Sequence, residues 1–406
     1  MIVWIVNPFD RLPGESGRPG RYWTLAEILS RRGHEVVWWS SGFSHGSKTR
    51  RRLENANDKV AAVRLLDTQP YRRNVSLARI VNHRQFANRF YQLAARELRE
   101  YPYLRPDRIV VSLPPISPAN LAIGLRDEYG GKVIVDIQDA WPETFYRLVP
   151  GTGKAHDYLS RLFLSPWHRQ AQNAYVNADA ITAVAQTYVD LSGANNRGQP
   201  NYVAYLGAPF RQLDALLKAD RRSVSPFTFV YLGSMSMNYD LETVLEAARL
   251  MTQADSSFRI VIAGKGPYEQ KLRRRCKELD LESVIEFRGY LEYDQVVKLL
   301  GESHCALNTI VPESYCAMPN KVADYFGAGL PVINSIPGEL AGLIKANDAG
   351  AYYRARDPES LARIMVEYTR NPSIAERQGK NARAVGETGF RRETAYVGLA
   401  QFIENL

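Results

Sequence analysis

The chain is poor in cysteine and has no long apolar run. Its 406 residues include three cysteines, Cys276, Cys305 and Cys316, which are far apart and show no CxxC or Cys/His spacing. We therefore expect free thiols rather than a disulfide framework or a zinc site. No run approaches the roughly 20 apolar residues of a spanning helix, and residues 1–6 lack the basic flank and length of a signal peptide. These absences predict a cytoplasmic protein.

Acidic residues are scarce in the first half of the chain. Residues 1–205 hold 27 Lys and Arg against 18 Asp and Glu, whereas residues 206–406 hold 25 of each, so the net charge of +9 lies in the first half. The stretch 48–89 is the most basic part. Such a run fits a solvated face, nucleic acid or anionic lipid. Because no nucleic-acid motif accompanies it, we expect no nucleic-acid partner.

A chain of this length exceeds what one hydrophobic core usually serves, so we expect two domains. Apolar, β-branched runs alternate with helical patterns, and the alternation restarts after a polar stretch at 211–225. This predicts an α/β protein with two facing, doubly wound Rossmann-like domains and a cleft between them. The expected boundaries are 1–205 plus a C-terminal helix at 388–406 for the first domain, and 206–387 for the second. The predicted strands are 2–6, 35–40, 108–113, 133–137, 180–184, 227–232, 259–263, 284–288, 305–310 and 331–334.

The first strand leads into a loop with Gly14, Gly17 and Gly20, and then into a predicted helix at 21–32. A strand, a glycine loop and a helix N-terminus in this order bring backbone N–H groups close to a phosphate. The spacing is not G-x-G-x-x-G, so a dinucleotide site is not indicated. A plain surface loop fits equally well.

The segment 319–333 carries a more specific pattern. Pro319 suits the first helical position and Gly329 the C-terminal break, which predicts a helix of about ten residues that leads directly into a strand. Lys321 and Asp324 are three residues apart and share one face of that helix. The cation suits a pyrophosphate and the carboxylate a ribose diol. A capped helix with a surface Lys–Asp pair fits the same spacing.

Polar residues also follow the predicted strand 133–137. Asp139 follows this strand at the expected cleft edge and is a candidate to accept a proton, and Glu143 is a second candidate for this role. Asp139 could instead cap the following helix. His45, in a loop before the basic run, is a candidate phosphate contact.

Taken together, these segments resemble the GT4 family of retaining glycosyltransferases with the GT-B fold. The resemblance is greatest to a bacterial surface-polysaccharide branch, and within it to N-acetylfucosamine transferases of O-antigen and capsule pathways. The motifs that carry it are Leu25-Ala26, 32–36, 40–45, 136–143, 264–267 and 319–333.

The resemblance implies that the second domain binds a nucleotide sugar, that the first binds the acceptor, and that no metal or other cofactor is required. It places Asp324 on the second carboxylate of an E-x7-E motif, whose first position here is Cys316. The Arg/Lys pair of many members is also absent after Gly233, so Lys321, with Lys265 or Arg21, would supply the positive charge. The expected catalytic residues are Asp139 and Lys321. The expected donor-binding residues are Gly17, Gly233, Ser234, Gly264, Lys265, Gly266, Arg288, Tyr290, Cys316, Pro319, Asn320, Lys321 and Asp324, and the acceptor or phosphate candidates are Arg21, His45 and Glu143.

The expected activity is transfer of a sugar, with an N-acetylated sugar as one candidate, from a UDP-linked donor to a polyprenyl-diphosphate-linked or other saccharide acceptor in cell-surface polysaccharide biosynthesis. An inactive binding subunit of an assembly complex and a UDP-sugar 2-epimerase are the alternatives. A stripe of apolar residues at 76–100, interleaved with arginines, fits either a core-facing helix of the first domain or a helix that lies on a membrane. The positive charge favours the membrane, which predicts peripheral binding to the inner face of the plasma membrane through the basic region 48–99.

Overall fold

The computed structural model describes residues 1–12, 15, 20–51, 57–58, 60–149, 153–217, 225–254 and 257–406. The chain divides into two compact units. The first unit comprises residues 1–204 and 396–406, and the second unit comprises residues 205–395.

The first unit is built on one sheet in the order β3-β4-β2-β1-β5-β6-β7-β8, which is parallel except for the β3–β4 pair. Its strands are β1 (Ile2–Val6), β2 (Glu35–Ser41), β3 (Asn57–Asp58), β4 (Ala61–Leu66), β5 (Arg108–Leu113), β6 (Lys132–Ile137), β7 (Ala180–Ala183) and β8 (Asn201–Val203). Its helices are α1 (Arg21–Arg31), α2 (Leu77–Glu100), α3 (Ile116–Tyr129), α4 (Gly153–Phe163), α5 (Ser165–Asn177) and α6 (Gln186–Ser192).

The second unit has a parallel sheet in the order β11-β10-β9-β12-β13-β14. Its strands are β9 (Phe227–Leu232), β10 (Phe258–Ala263), β11 (Ile285–Gly289), β12 (Cys305–Asn308), β13 (Val332–Asn334) and β14 (Gly350–Tyr352). Its helices are α7 (Phe210–Leu216), α8 (Leu241–Gln253), α9 (Glu269–Glu278), α10 (Tyr293–Gly301), α11 (Lys321–Gly327), α12 (Glu339–Ala346), α13 (Pro358–Arg370) and α14 (Pro372–Val385). The last helix, α15 (Arg392–Asn405), joins the first unit from Tyr396 onward.

Both sheets reverse their strand order once, between β1 and β5 in the first unit and between β9 and β12 in the second. The central strands are buried along almost their whole length because helices cover both faces of a parallel sheet. Ligands of such sheets bind outside the carboxyl ends of the strands at the reversal point. The Rossmann-like architecture predicted for both halves is therefore confirmed, and it directs attention to these two sheet edges.

The prediction for helix α2 was wrong in its main feature. Phe90, Ala94 and Leu98, which belong to the apolar stripe predicted to face lipid, are buried in the first unit. Only its N-terminal part and Leu93 present apolar side chains to solvent, with Leu77 at 81% exposure. Helical periodicity cannot separate a core face from a membrane face, and here the stripe packs inward. No helix in the described ranges is both long and apolar enough to cross a membrane.

The helix predicted at 319–329 is shorter than expected. α11 begins at Lys321 after the N-cap Asn320, so Pro319 lies before the helix rather than at its first position. Gly329 has φ 65° and ends the segment as predicted. The short helix nevertheless carries Lys321 and Asp324 in its first turn, which determines the site described next.

Candidate active site

Three glycine loops meet at the carboxyl edge of the second sheet. They follow the adjacent strands β9, β10 and β11 and contain Gly233, Gly264 and Gly289. The Gly233 N–H donates to the carbonyl of Ala263 at 3.0 Å, and the Gly264 N–H donates to the carbonyl of Gly289 at 2.6 Å. Gly233 and Gly264 have φ of 141° and 139°, where only glycine is unstrained. A Cβ on Gly264 would overlap the Gly233 carbonyl, so the close packing of these loops requires glycine.

Lys321 is directed at the first of these loops. Its ammonium lies 4.0 Å from the ring centre of Tyr231 and 4.7 Å from that of Tyr239. A Cβ on Gly233 would lie 3.7 Å from the Nζ atom. That Nζ is buried and has no hydrogen-bond partner in the structure. Burial lowers the pKa of Lys321 to about 7. A buried ammonium that donates no hydrogen bond to a protein oxygen is suited to bind the anionic group of a ligand.

Asp324 lies one turn further along α11 and is 9% exposed. The hydroxyl of Tyr293, at the start of α10, donates to its Oδ1 at 3.0 Å. This bond positions the carboxylate, whose oxygens have the acceptor chemistry that a ribose diol needs. The predicted spacing of Lys321 and Asp324 therefore gives two different environments, a buried ammonium without a hydrogen-bond partner and a buried carboxylate held by Tyr293.

The other predicted donor residues lie around the same loops. The hydroxyl of Tyr231 donates to the carbonyl of Ser234 at 2.7 Å. Arg288 forms an ion pair with Glu286 at 2.7 Å, which leaves its guanidinium partly occupied. Among the remaining predicted donor residues, Gly266 packs against the Met235 backbone. Cys316 is half-buried and Pro319 is buried. Three are exposed: Lys265, Tyr290 and Asn320. Gly17 lies outside the described residues.

Asp139 lies two residues beyond β6 and is half-exposed. Its Oδ1 accepts from the Ala140 N–H at 3.0 Å and from the Thr144 hydroxyl at 3.2 Å. The carboxylate therefore organises the turn that leads into a 3-10 helix, Glu143–Leu148. It also acts electrostatically on Arg79, in α2. Both readings of Asp139 from the sequence, a capping group and a reactive group, are compatible with this position.

Arg21 differs from what was expected. It is 2% exposed, and its Nε and Nη2 donate to the two oxygens of Asp136 at 2.9 Å each. Its Nη1 donates to the Ala204 carbonyl at 2.7 Å. Burial opposes ionisation of Asp136, but Arg21 and the Tyr22 hydroxyl hold its pKa below the usual range. Arg21 thus links the centre of the first sheet to α1 and is not placed to contact a phosphate.

His45 and Glu143 both lie in the first unit. His45 Nδ1 is 2.5 Å from the Tyr71 hydroxyl, and burial next to Arg79 and Lys48 lowers its pKa to about 4. His45 is therefore neutral near pH 7. The Oε2 of Glu143 is buried without a hydrogen-bond partner, and burial raises the pKa of this carboxyl.

The sequence reasoning missed the aromatic residues around Lys321 and the role of Arg79. Tyr231 is two residues before Gly233, so strand alternation places it on one face of β9, but nothing local indicates that a lysine ninety residues later packs on its ring. Arg79 was assigned to a membrane-facing stripe, whereas its guanidinium lies 5.1 Å from the Trp141 ring and donates to the Asn74 carbonyl at 2.8 Å.

Comparison with known families finds a match within the second unit. The family model for glycosyl transferases group 1 matches residues 216–385. This segment includes all three glycine loops and Lys321.

Individual relatives are distant. The amylovoran biosynthesis glycosyltransferase AmsK of Erwinia amylovora is 25% identical over 184 residues, which is 45% of each chain. The match thus spans less than half of that curated relative. Among solved structures, sucrose-phosphate synthase from Thermosynechococcus elongatus is similar with TM-score 0.70 and 14% identity, over 100% of this chain and 99% of that one. Anabaena Alr3699/HepE in complex with UDP has TM-score 0.67 and 15% identity over the whole of both chains. At these identities the structural likeness establishes the GT-B fold.

Proposed function

We propose that the protein is a retaining glycosyltransferase of cell-surface polysaccharide biosynthesis, because residues 216–385 match the family model for glycosyl transferases group 1. The donor is a UDP-sugar, of the N-acetylated class that the sequence motifs suggest. The acceptor is a lipid-linked or other saccharide. The retaining outcome is proposed because the motifs at 136–143 and 319–333 resemble a retaining family.

The observation that carries the proposal is the buried ammonium of Lys321. In a free protein, a buried cation without a hydrogen-bond acceptor is a cost to folding. It lies beside Gly233, at the reversal point of a parallel sheet, where nucleotide ligands of such sheets bind. A diphosphate at this point would supply the missing acceptors. UDP is proposed because the similar HepE structure holds UDP.

The proposed mechanism is mainly electrostatic. Breaking the anomeric bond places negative charge on the departing diphosphate and positive charge on the sugar ring. Lys321 neutralises the diphosphate, and the backbone N–H groups of the glycine loops assist it. Asp324 holds the ribose. Asp139 orients the acceptor hydroxyl or takes its proton.

The test is release of UDP from a panel of UDP-sugars by the purified protein in the presence of a bacterial lipid extract. We expect release with at least one donor, dependent on the extract, and a product whose anomeric configuration matches the donor by NMR. An inactive binding subunit would bind UDP without releasing it from any donor. A UDP-sugar 2-epimerase would convert the donor without an acceptor, which NMR of the nucleotide sugar would detect.

A further inference from the structure

The first unit contains a cavity of about 390 Å³ near the carboxyl edge of its sheet, lined by residues of α2, α3, α4 and α5 and the turns before them. Pockets of roughly 300–1,000 Å³ are the usual size for small-molecule sites. Most of its wall is apolar. Trp141, Phe145 and Trp167 form a continuous aromatic wall, with ring centres 4.5 Å and 5.2 Å apart.

The cavity wall carries one cation, and a second lies next to it. Arg79 and Asn74 line the cavity, and Lys48 contacts Asn74 from outside the lining. The Arg79 Nη1 donates to the Asn74 carbonyl at 2.8 Å, and the Lys48 Nζ donates to the Asn74 Oδ1 at 2.7 Å. Two cations are therefore held around one asparagine. Burial and the nearby Arg79 lower the pKa of Lys48, so in the free protein the two charges repel each other. An anion bound next to Arg79 and Lys48 would relieve the repulsion between their charges.

The cavity wall also includes apolar side chains that are exposed to solvent. Phe163, the last residue of α4, lines the cavity and is 77% exposed, and Leu77 lines it from the start of α2. The same helix exposes Tyr158, Leu159 and Leu162 at 70%, 53% and 63%. Arg84 lines the cavity as well and is exposed. A helix with this exposed apolar face, flanked by arginines, suits the boundary between headgroups and acyl chains of an anionic membrane.

We propose that this cavity is a lipid subsite: it takes the single apolar chain of a lipid-linked acceptor, while Arg79 and Lys48 hold the lipid's diphosphate. The proposal rests on the proposed function for the identity of the ligand as an acceptor. Two cations around Asn74, beside one largely apolar cavity, fit an apolar chain that carries a diphosphate better than a phospholipid with a single charge. The exposed face of α4 then lies against the membrane that supplies the lipid.

The test is calorimetric titration of the full chain with farnesyl diphosphate, inorganic pyrophosphate, farnesol and dihexanoyl phosphatidylglycerol. We expect farnesyl diphosphate to bind at least tenfold more tightly than each of the other three. Pyrophosphate binding as tightly would mean that the cavity is not used, and phosphatidylglycerol binding as tightly would mean a general lipid site. Either result, or no binding of farnesyl diphosphate, would overturn the proposal.

Variants test the contribution of the two cations and that of the apolar side chains independently. Arg79→Gln and, independently, Lys48→Gln should weaken farnesyl diphosphate about tenfold, roughly 1.4 kcal/mol, and leave farnesol unchanged. The double variant Leu77→Gln, Phe163→Gln should weaken both farnesyl diphosphate and farnesol. Leu93→Gln is the matched control, since Leu93 is 45% exposed on α2 outside the cavity and should change neither. Equal losses in the control and the double variant would contradict the assignment.

A parallel titration with UDP distinguishes failure of the lipid subsite from failure of the proposed function. A protein that binds farnesyl diphosphate but neither binds nor releases UDP would refute the proposed function and support the lipid subsite. A protein that transfers sugar to a water-soluble acceptor but does not bind farnesyl diphosphate would refute the subsite alone.

Discussion

Replacing Lys321 by methionine should make the free protein more stable and lower its affinity for UDP and its turnover. Burial lowers the pKa of Lys321 from 10.5 to about 7. At about 1.4 kcal/mol per pH unit, the buried amine costs the folded second unit on the order of 4 kcal/mol at neutral pH. Methionine has a similar length and no charge, so it keeps the contact with the Tyr231 ring and removes that cost.

The sign of the pH dependence follows from the direction of the pKa shift. Because the pKa is lower in the folded state, the unfolded chain binds more protons between pH 7 and 10.5. The stability gained by Lys321→Met is therefore largest at or below about pH 7 and shrinks towards pH 10.5. By calorimetry we expect the melting temperature of the second unit to rise by about 8 °C or more at pH 7, at roughly 2 °C or more per kcal/mol for a unit of this size. Lys298→Met, which removes an exposed lysine of α10, is the control and should leave it unchanged.

The same variant should bind UDP about 10- to 150-fold more weakly, since a hydrogen bond to a charged group is worth roughly 1.5–3 kcal/mol. Turnover should fall about 100-fold or more, because the charge matters most as the diphosphate leaves. In the wild type, UDP affinity should decline as pH rises above about 7, where the free amine loses its proton. A Lys321→Met protein that is less stable and binds UDP normally would refute the reasoning.

Further expectations concern the ribose contact, the acceptor side and the membrane. Asp324→Ala should weaken UDP binding measured by calorimetry, with a smaller effect on deoxyuridine diphosphate, and an equal loss for both nucleotides would remove the ribose assignment. Asp139→Asn keeps an Oδ1 acceptor for the turn, so it should fold and bind UDP yet transfer little sugar, whereas wild-type transfer would reduce Asp139 to a cap. The triple change of Arg72, Arg73 and Arg84 to Ser should lower co-sedimentation with anionic vesicles, at about 1 kcal/mol per arginine, and salt-insensitive binding would contradict this electrostatic attraction.

The vesicle prediction uses only the exposed arginines Arg72, Arg73 and Arg84, and not the whole basic region 48–99 that the sequence suggested. In the sequence alone, the basic region 48–99 looks like one charged surface. In the structure Arg51 is buried in an ion pair with Glu15 at 2.9 Å, and Arg50 pairs with Asp67 at 2.9 Å. Arg72, Arg73 and Arg84 are exposed. Linear charge density could not distinguish these cases, because each pairing is made with a residue distant in sequence.

Where the sequence succeeded, the signals were local. The strands β1, β5 and β9 were predicted with their observed bounds, since continuous apolar runs bounded by loop residues identify buried parallel strands. The strands β3, β4, β8 and β14 were missed: β3, β8 and β14 are only two or three residues long, and Arg64 interrupts the apolar run of β4. The Lys321–Asp324 pair was predicted from helical spacing.

The parts of the site that were not predicted depend on tertiary contacts. That Lys321 is buried between Tyr231 and Tyr239 follows from the packing of α11 against β9, which no spacing in the sequence records. Likewise, Arg21 is the first residue of α1 and was expected to be available to a phosphate. In the structure its guanidinium instead donates hydrogen bonds to the buried carboxylate of Asp136.

The most direct test of the central claim is hydrogen–deuterium exchange of the full chain with and without saturating UDP. The account predicts slower exchange in the second unit at the loops around Gly233, Gly264 and Gly289 and in α11, with no change at the cavity of the first unit. It also predicts that Lys321→Met greatly reduces this protection at the same UDP concentration. Protection confined to the first unit, or unchanged in the variant, would contradict the assignment of the second unit as the site of nucleotide-sugar binding.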